Sequence, residues 1–159
     1  MNLLICVGVA GVTYYLMSVL QAVLHRDFGH RRRIARVFEG HAVGHHGQYP
    51  AHRLQGKSYK DLEGHALNYY GIPALVSATA IYLAFGPLIA VAHLVGILLT
   101  FRVNIVLHRH YHLEQTPLER FAWFREKRRL HFLHHQDARV NFAVVEFWID
   151  RLLGTYRSC

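Results

Sequence analysis

The chain has 159 residues, a length typical of one domain, and 52% of them are hydrophobic. It also carries 18 Lys and Arg residues, 14 His residues and a formal net charge of +8. This combination is unusual for a small soluble domain, but an integral membrane protein can hold its charges outside the bilayer. No nucleic-acid-binding motif accompanies the positive charge, so we expect no nucleic acid partner. The two cysteines provide neither a disulfide framework nor a cysteine-based zinc site.

Residues 3–24 form an apolar run that is long enough to cross a hydrocarbon core of about 30 Å. No charged residue precedes this run, and five arginines follow it: Arg26, Arg31, Arg32, Arg33 and Arg36. Because arginine concentrates on the cytoplasmic side of membrane spans, we expect the N-terminus outside and the chain from residue 25 onward in the cytoplasm. A signal peptide is the competing interpretation, but a basic start is missing and His25 and Arg26 stand where cleavage would occur.

A second apolar stretch runs from residue 66 to residue 107 and is broken at Gly86 and Pro87. At about 1.5 Å per residue it is too long for one crossing, so we predict two further spans, 66–85 and 88–107. Such a hairpin returns the chain to the cytoplasmic side. Polar residues within the two legs are expected to face the bundle interior, and they are Asn68, His93, Arg102 and Asn104.

These patterns predict an all-α fold, an integral membrane helical bundle of about three spans. We expect a single domain over residues 1–159, in which the His-rich segments 25–65 and 108–159 form a helical cap on the cytoplasmic side. Within that cap, Thr116, Pro117 and Glu119 have the spacing of a helix start with a capping box. The helix that follows is aromatic and basic, which suits the level of the lipid headgroups.

Ten histidines flank the spans in four sets with short spacings: His25 and His30; His41, His45 and His46; His108 and His112; His131, His134 and His135. Helical residues three or four apart lie on one face, so each set can supply several ligands. His25 and His30 are about 140° apart on a regular helix and could share a site only if the helix distorts or ends near residues 27–29. His41 and His45 are expected to share a face, with His46 turned toward a neighbouring metal.

A single zinc site uses three or four ligands, so ten histidines predict two metal ions. Imidazole binds iron and zinc alike. Soluble di-iron bundles use carboxylates and an ExxH motif, and no ExxH occurs in this chain, so iron would be held mainly by imidazole. We expect the four remaining histidines to be structural or surface residues: His52, His65, His93 and His110.

The order of these sets resembles the motifs of the fatty acid hydroxylase/sterol desaturase superfamily of membrane-bound di-iron enzymes, which run HxxxxH, HxxHH, HxxxH and HxxHH. The first, third and fourth motifs match here at His25–His30, His108–His112 and His131–His135. The second departs, because His41 and His45-His46 are separated by three residues instead of two. The tail, residues 141–156, also looks like the C-terminal signature of that family. The resemblance covers residues 25–157.

The resemblance implies O2-dependent hydroxylation or desaturation of an unactivated C–H bond in a membrane lipid, fatty acyl, sterol or related. It implies two iron ions held by the ten histidines, with zinc as an alternative occupant in isolated protein. It also implies an external electron-transfer protein or reductase, since the chain has no dinucleotide-binding or iron–sulfur motif. The setting would be the bacterial inner membrane or the endoplasmic reticulum, and a homo-oligomer would thicken the thin wall that three spans form around a substrate.

Other hypotheses remain open at this stage. Bacterial carotenoid hydroxylases share the histidine motifs and are close in length, whereas the tail favours the fatty acid/sterol branch. Outside the enzyme class, the alternatives are a membrane metal-binding or transport protein, a non-catalytic partner subunit and haem ligation by paired histidines. Transporters place their ligands near the bilayer midplane, where only His93 is expected in this chain.

Overall fold

The computed structural model describes residues 2–60 and 66–159 of the chain. The described residues form seven α-helices: α1 (Asn2–Leu24), α2 (Ala35–Phe38), α3 (His46–Gln48), α4 (Ala66–Phe85), α5 (Pro87–Tyr111), α6 (Ala122–Gln136) and α7 (Trp148–Leu152). Two π-helical segments, His25–Gly29 and Glu39–His45, continue α1 and α2, and Pro117–Arg120 forms a 3₁₀ turn. An isolated bridge between Gly56 and Leu113 is the one β pairing in the part described, so the all-α prediction is confirmed.

Two helices in the described part are long and apolar enough to cross a membrane, namely α1 with its π-helical extension (Asn2–Gly29) and α5. Large apolar side chains on their outer faces are exposed, as in a membrane helical bundle: Leu3, Leu4, Val12, Leu16, Val91 and Leu98. The apolar part of α4 whose side chains are described, Tyr70–Phe85, is shorter. A third span at 66–85 therefore stays a prediction.

The predicted break in the second apolar stretch lies between α4 and α5. Gly86 adopts φ +79°, a conformation that favours glycine, and Pro87 occupies the first turn of α5, where its missing N–H costs no hydrogen bond. The helix continues to Tyr111, one turn beyond the predicted end of the span. His108 consequently belongs to the same continuous helix as the apolar leg.

Helices α1 and α5 cross in close contact at Gly96. A Cβ atom at this position would lie 2.5 Å from the carbonyl oxygen of Ala10 and 2.6 Å from the Cβ of Thr13, so only glycine fits. Three side chains join the apolar helices nearby, because the two ring nitrogens of His93 lie 2.9 Å from the hydroxyl oxygens of Thr13 and Ser77. His93 therefore links α5 to α1 and α4 within the apolar bundle.

The other polar residues of the two legs differ in their placement. Asn104 is half-buried and faces a pocket, as expected for a polar group at that depth, whereas the side chain of Arg102 is exposed. The side chain of Asn68 lies outside the described part of the structure.

Two hydrophobic clusters attach the cap to the ends of the apolar helices. The first comprises Ala22, Leu130, Ala143, Phe147 and Ile149. The second comprises Leu107, Tyr111, Phe124, Val144 and Val145. Both join α6 and the tail to α1 or α5, so they hold the histidine-rich end of α6 against the histidine-rich ends of those two helices.

A helical segment begins after Thr116, as predicted, but it is a short 3₁₀ turn and not the start of the long helix. The Thr116 hydroxyl accepts a hydrogen bond from the backbone N–H of Leu118 at 3.3 Å, but only a short 3₁₀ turn follows, and α6 begins separately at Ala122. Glu119 does not complete a capping box, because its carboxylate instead forms an ion pair with Arg128 on α6.

Candidate metal centre

The structure brings the ten predicted histidines together in two neighbouring groups. The first histidine group contains His25, His30, His41, His46 and His134. The second histidine group contains His45, His108, His112, His131 and His135. Within each group the nearest ring nitrogens all lie within 4.8 Å of one another. The groups adjoin, since the rings of His46 and His135 stack with their centroids 4.1 Å apart.

His25 and His30 share the first group because the helix distorts between them, as their spacing requires. Residues His25–Gly29 form a π-helix, in which the backbone N–H of His30 donates to the carbonyl of His25 at 3.2 Å. A π-helix brings residues five apart onto one face. The two Nε2 atoms consequently lie 3.2 Å apart.

The second motif follows the same rule, and this corrects one expectation. His41 was expected to share a face with His45, but the segment Glu39–His45 is π-helical, so His41 shares the first group with His46, five residues on. His45 belongs to the second group, so the adjacent His45 and His46 turn toward different groups, as predicted. A π-helix brings residues five apart onto one face, whereas an α-helix does so for residues four apart. The HxxxHH spacing in a π-helix therefore places its first and last histidines on one face, as the HxxHH spacing does in an α-helix.

The last two sets lie on regular α-helices. His108 and His112, four apart at the end of α5, both belong to the second group. On α6, His131 and His135 are also four apart and join the second group, whereas His134 turns to the first. The helix α6 therefore lies between the two groups and contributes to both.

Distances between ring nitrogens match the spacing of ligands around one metal ion. At a metal–nitrogen bond of about 2.1 Å, neighbouring ligands at right angles are ~3.0 Å apart and opposite ligands ~4.2 Å apart. The Nε2 atoms of His30 and His134 lie 2.9 Å apart, and those of His30 and His41 lie 3.0 Å apart. In the second group the Nε2 atoms of His112 and His131 also lie 3.0 Å apart.

Backbone carbonyl groups fix the orientation of four of these rings. The Nδ1–H groups of His25, His112, His134 and His135 donate to the carbonyl oxygens of Phe142, Leu54, Val140 and Tyr49 at 2.5, 2.7, 2.7 and 2.8 Å, respectively. A proton held at Nδ1 leaves the Nε2 lone pair for a metal, which is the usual arrangement of metal-binding imidazoles. Sequence reasoning did not find these carbonyl groups, because no side chain marks them.

The tail holds two of those carbonyls in place. Asp150 is fully buried, and its carboxylate accepts hydrogen bonds from the backbone N–H groups of Phe142 and Ala143 at 2.7 and 3.0 Å. The buried Asn141 side chain binds the carbonyls of Leu130 and Arg157 at 3.1 and 2.9 Å. The tail that looked like a family signature therefore supports the histidine groups without contributing a ligand.

Burial keeps the imidazoles neutral. Desolvation, followed by the proximity of other imidazoles, lowers the pKa of His30 and of His46 to about 2. The same two causes hold the pKa of His131 and His134 well below the usual value. Metal binding requires neutral imidazole, so these rings are already in the binding form at neutral pH.

The donor set fits a metal ion. The Nε2 atoms of His46 and His108 are buried and have no hydrogen-bond partner among the described residues. A buried polar nitrogen without a partner is costly, and a metal ion in each group would supply one. Imidazole suits iron and zinc, and both groups consist of imidazole alone.

A small pocket of about 70 Å³ adjoins both groups and opens to the outside. His25 and His41 of the first group and His108 of the second form part of its wall. The rest of the lining comes from α1, α4, α5 and the cap, so the pocket connects the histidine groups with the apolar helices.

The histidines expected to lie elsewhere do so where they are described. His52 is exposed, and His93 is the contact between helices already described. The Nδ1 of His110 lies 2.8 Å from the Thr116 hydroxyl oxygen. His65 lies outside the described residues.

Comparison with known proteins gives one match. The model of the fatty acid hydroxylase family matches residues 10–155, which include all ten histidines and most of the tail. No curated protein and no solved structure matches the chain. The family match agrees with the resemblance inferred from the histidine motifs.

Proposed function

Because the chain belongs to the fatty acid hydroxylase family, we propose that it is a membrane-bound di-iron oxygenase that hydroxylates or desaturates an unactivated C–H bond of a lipid. The lipid is a fatty acyl, sterol or related molecule. The observation that carries this proposal is the pair of adjoining five-histidine groups beside a pocket between the apolar helices.

All ten histidines are the proposed ligands, five for each iron ion: His25, His30, His41, His46 and His134 for one, and His45, His108, His112, His131 and His135 for the other. Two iron ions held there would supply O2 reduction and C–H cleavage. The residues of the chain supply neutral ligands, carbonyl groups that orient them and burial that excludes water.

The balance of the reaction explains the need for an electron donor. Hydroxylation converts a C–H bond, O2, two electrons and two protons into an alcohol and one water molecule. Desaturation uses the same inputs, removes two hydrogen atoms from neighbouring carbons and produces two water molecules. The described residues include no electron-carrying cofactor motif, so the electrons come from a separate protein or reductase.

The substrate enters from the bilayer in this proposal. The pocket lies between α1, α4 and α5, whose outer faces are apolar, so an acyl chain or sterol can reach the histidines without crossing water. The arginines that follow α1 support a cytoplasmic position for the centre, with the N-terminus outside.

The test is metal content and O2 reactivity of the full chain, purified in detergent from iron-supplemented cells. We expect about two irons per chain, one for each group, with Mössbauer spectra that change from ferrous to coupled ferric on exposure to O2. A lipid screen with an added reductase then identifies the product. Two zinc ions, or one weakly held ion without response to O2, would contradict the proposal and favour a metal-binding or partner role.

A further inference from the structure

The short tail helix α7 has two faces of different character. Ile149 and Asp150 are buried against the rest of the protein, and Asp150 holds the backbone of the loop beside His25. The opposite face carries Trp148, Arg151 and Leu152, which are three and four residues apart and therefore share a face. All three are exposed, Leu152 to 74%. A large apolar side chain this open adds little to the packing of the chain itself.

Two contacts fix the position of α7 along the apolar helix α1. The Tyr14 hydroxyl donates a hydrogen bond of 2.9 Å to the carboxylate of Glu146, just before α7. The rings of Tyr15 and Trp148 lie with their centroids 6.1 Å apart. Tyr15 precedes His25 by nearly three helical turns, about 15 Å along the axis. The contact with α7 therefore lies on the bilayer side of the histidine groups.

The neighbouring helix α5 shows what surrounds the protein at this level. Gly96 on α5 meets Ala10 on α1. One turn further along each helix, the Thr100 hydroxyl donates to the carbonyl of Tyr14 at 3.2 Å, so the two helices run in the same direction. Apolar side chains of α5 are exposed before and after this level, and they are Leu98, Leu99 and Ile105. The outer face of α7 is therefore level with part of the exposed apolar surface of the bundle.

The composition of this face suits the boundary between acyl chains and lipid headgroups. Trp and Tyr concentrate at that boundary, because each combines an apolar ring with one polar N–H or O–H group. Arg151, whose guanidinium lies 4.3 Å from the ring centroid of Tyr156, adds a positive charge for lipid phosphates. Asp150, the acidic residue of α7, is buried. A symmetric contact with a second copy through this face would instead bring two Arg151 charges together.

We propose that the outer face of α7 inserts into the bilayer leaflet on the side of the histidine groups. Trp148 and Leu152 lie among the upper parts of the acyl chains, and Arg151 lies at the headgroups. The tail, predicted as part of a cap outside the bilayer, is then in part an interfacial membrane anchor. This inference rests on the helical bundle and is independent of the chemistry of the histidine groups.

The test uses the fluorescence of Trp148. The chain has two tryptophans, so Trp123→Phe leaves Trp148 as the only indole. The full chain is reconstituted in phosphatidylcholine liposomes with plain lipids or with lipids brominated near the start or near the end of the acyl chain. The ratio of emission with and without bromine cancels quenching by bound metal. Because interfacial helices bury their apolar face about 5–10 Å deep, we expect shallow bromines to lower the emission at least about twofold, and more than deep bromines do.

The matched control carries its indole on the cap. Ala138 lies in the exposed turn after α6, between the ion-paired Asp137 and Arg139. In a chain with Trp123→Phe and Trp148→Phe, Ala138→Trp should be quenched by acrylamide in the water and unaffected by brominated lipid. If Trp148 behaved in the same way, α7 would lie in water and the insertion would be overturned. If neither quencher acted on Trp148, protein would cover this face, which also overturns the proposal.

Leu152 provides a second measurement that leaves Trp148 and its contact with Tyr15 in place. Leu152→Cys is combined with serine at the two native cysteines, Cys6 and Cys159, and is labelled with a nitroxide. Power saturation in liposomes then compares relaxation by O2, which concentrates in the bilayer, with relaxation by a water-soluble nickel chelate. We expect O2 to dominate at Leu152, and the nickel chelate to dominate for Ala138→Cys in the same background. Dominance of the nickel chelate at both positions would contradict insertion of α7.

Discussion

At the scale of single residues, the two nitrogens of an imidazole have different roles in this centre. In His25, His112, His134 and His135, Nδ1 donates to a backbone carbonyl and Nε2 faces the other histidines. A ring held in this way loses little further freedom on binding a metal. In other metal sites, loss of such a hydrogen bond to a ligand typically lowers the metal affinity by about 10- to 100-fold.

Adjacent histidines on α6 allow the two groups to be tested separately. His134 belongs to the first group and His135 to the second, so we expect His134→Ala and His135→Ala each to lower the iron content from about two to about one per chain. The double variant should lose both ions and all activity. Iron is measured by mass spectrometry on purified protein.

The control for these variants is His52→Ala, because His52 is exposed and lies outside both groups. It should retain the full iron content. A double variant at His134 and His135 that remains active and fully loaded would disprove the ligand assignment.

At the scale of elements, the π-helical segment Glu39–His45 compensates for the extra residue in the second motif. If the segment accommodates one inserted residue, deletion of Val43 should produce a regular helix with an HxxHH spacing. His41 and His46 would then be four apart and still share a face. We expect this deletion to retain most of the iron, since Val43 is 60% exposed and contributes little packing.

The matched control is an alanine inserted after Val43, which rotates His41 by about 100° relative to His46. It should lose the ion of the first group. If the deletion removed that ion while the insertion preserved it, the compensation would be refuted. Metal content and thermal melting in detergent are the measurements.

The crossing of α1 and α5 at Gly96 gives a second prediction at this scale. Gly96→Ala places a methyl group 2.5 Å from the carbonyl oxygen of Ala10, so the helices must separate. We expect a destabilisation of about 1–3 kcal/mol, the usual cost of overpacking, and a lower melting temperature. Gly8→Ala is the control, because nothing lies within 4 Å of its Cβ position. It should be neutral or stabilising by up to ~1 kcal/mol, and an equal effect of the two substitutions would contradict the argument.

Spacing along the sequence predicted the ten grouped histidines because helical periodicity determines which side chains share a face. It did not predict the pairing of His41 with His46, because a π-helix has no sequence signature of its own. Orientation by the carbonyls of Tyr49 and Phe142 also required tertiary structure, since every residue has a carbonyl group.

At the scale of the whole molecule, the centre buries many neutral imidazoles that do not readily take up a proton while the chain is folded. The pKa of His30 and of His46 is about 2 and that of His112 about 4, mainly because of burial, whereas a histidine in an unfolded chain has a pKa near 6.5. Below pH 6.5 the unfolded state therefore binds more protons than the folded state. By linkage, acid favours unfolding of the metal-free protein.

We accordingly predict that the metal-free chain loses stability as the pH falls from about 6.5 toward about 4, by up to ~1.4 kcal/mol per pH unit for each such histidine. The measurement is the melting temperature in detergent at several pH values. His30→Gln should reduce the slope, because it removes one buried base, whereas His52→Gln should not, because His52 is exposed. Bound metal should raise stability most at neutral pH, since protons compete with the metal for the same lone pairs as the pH falls. A melting temperature that is independent of pH over this range would show that the two groups are open to water and protons.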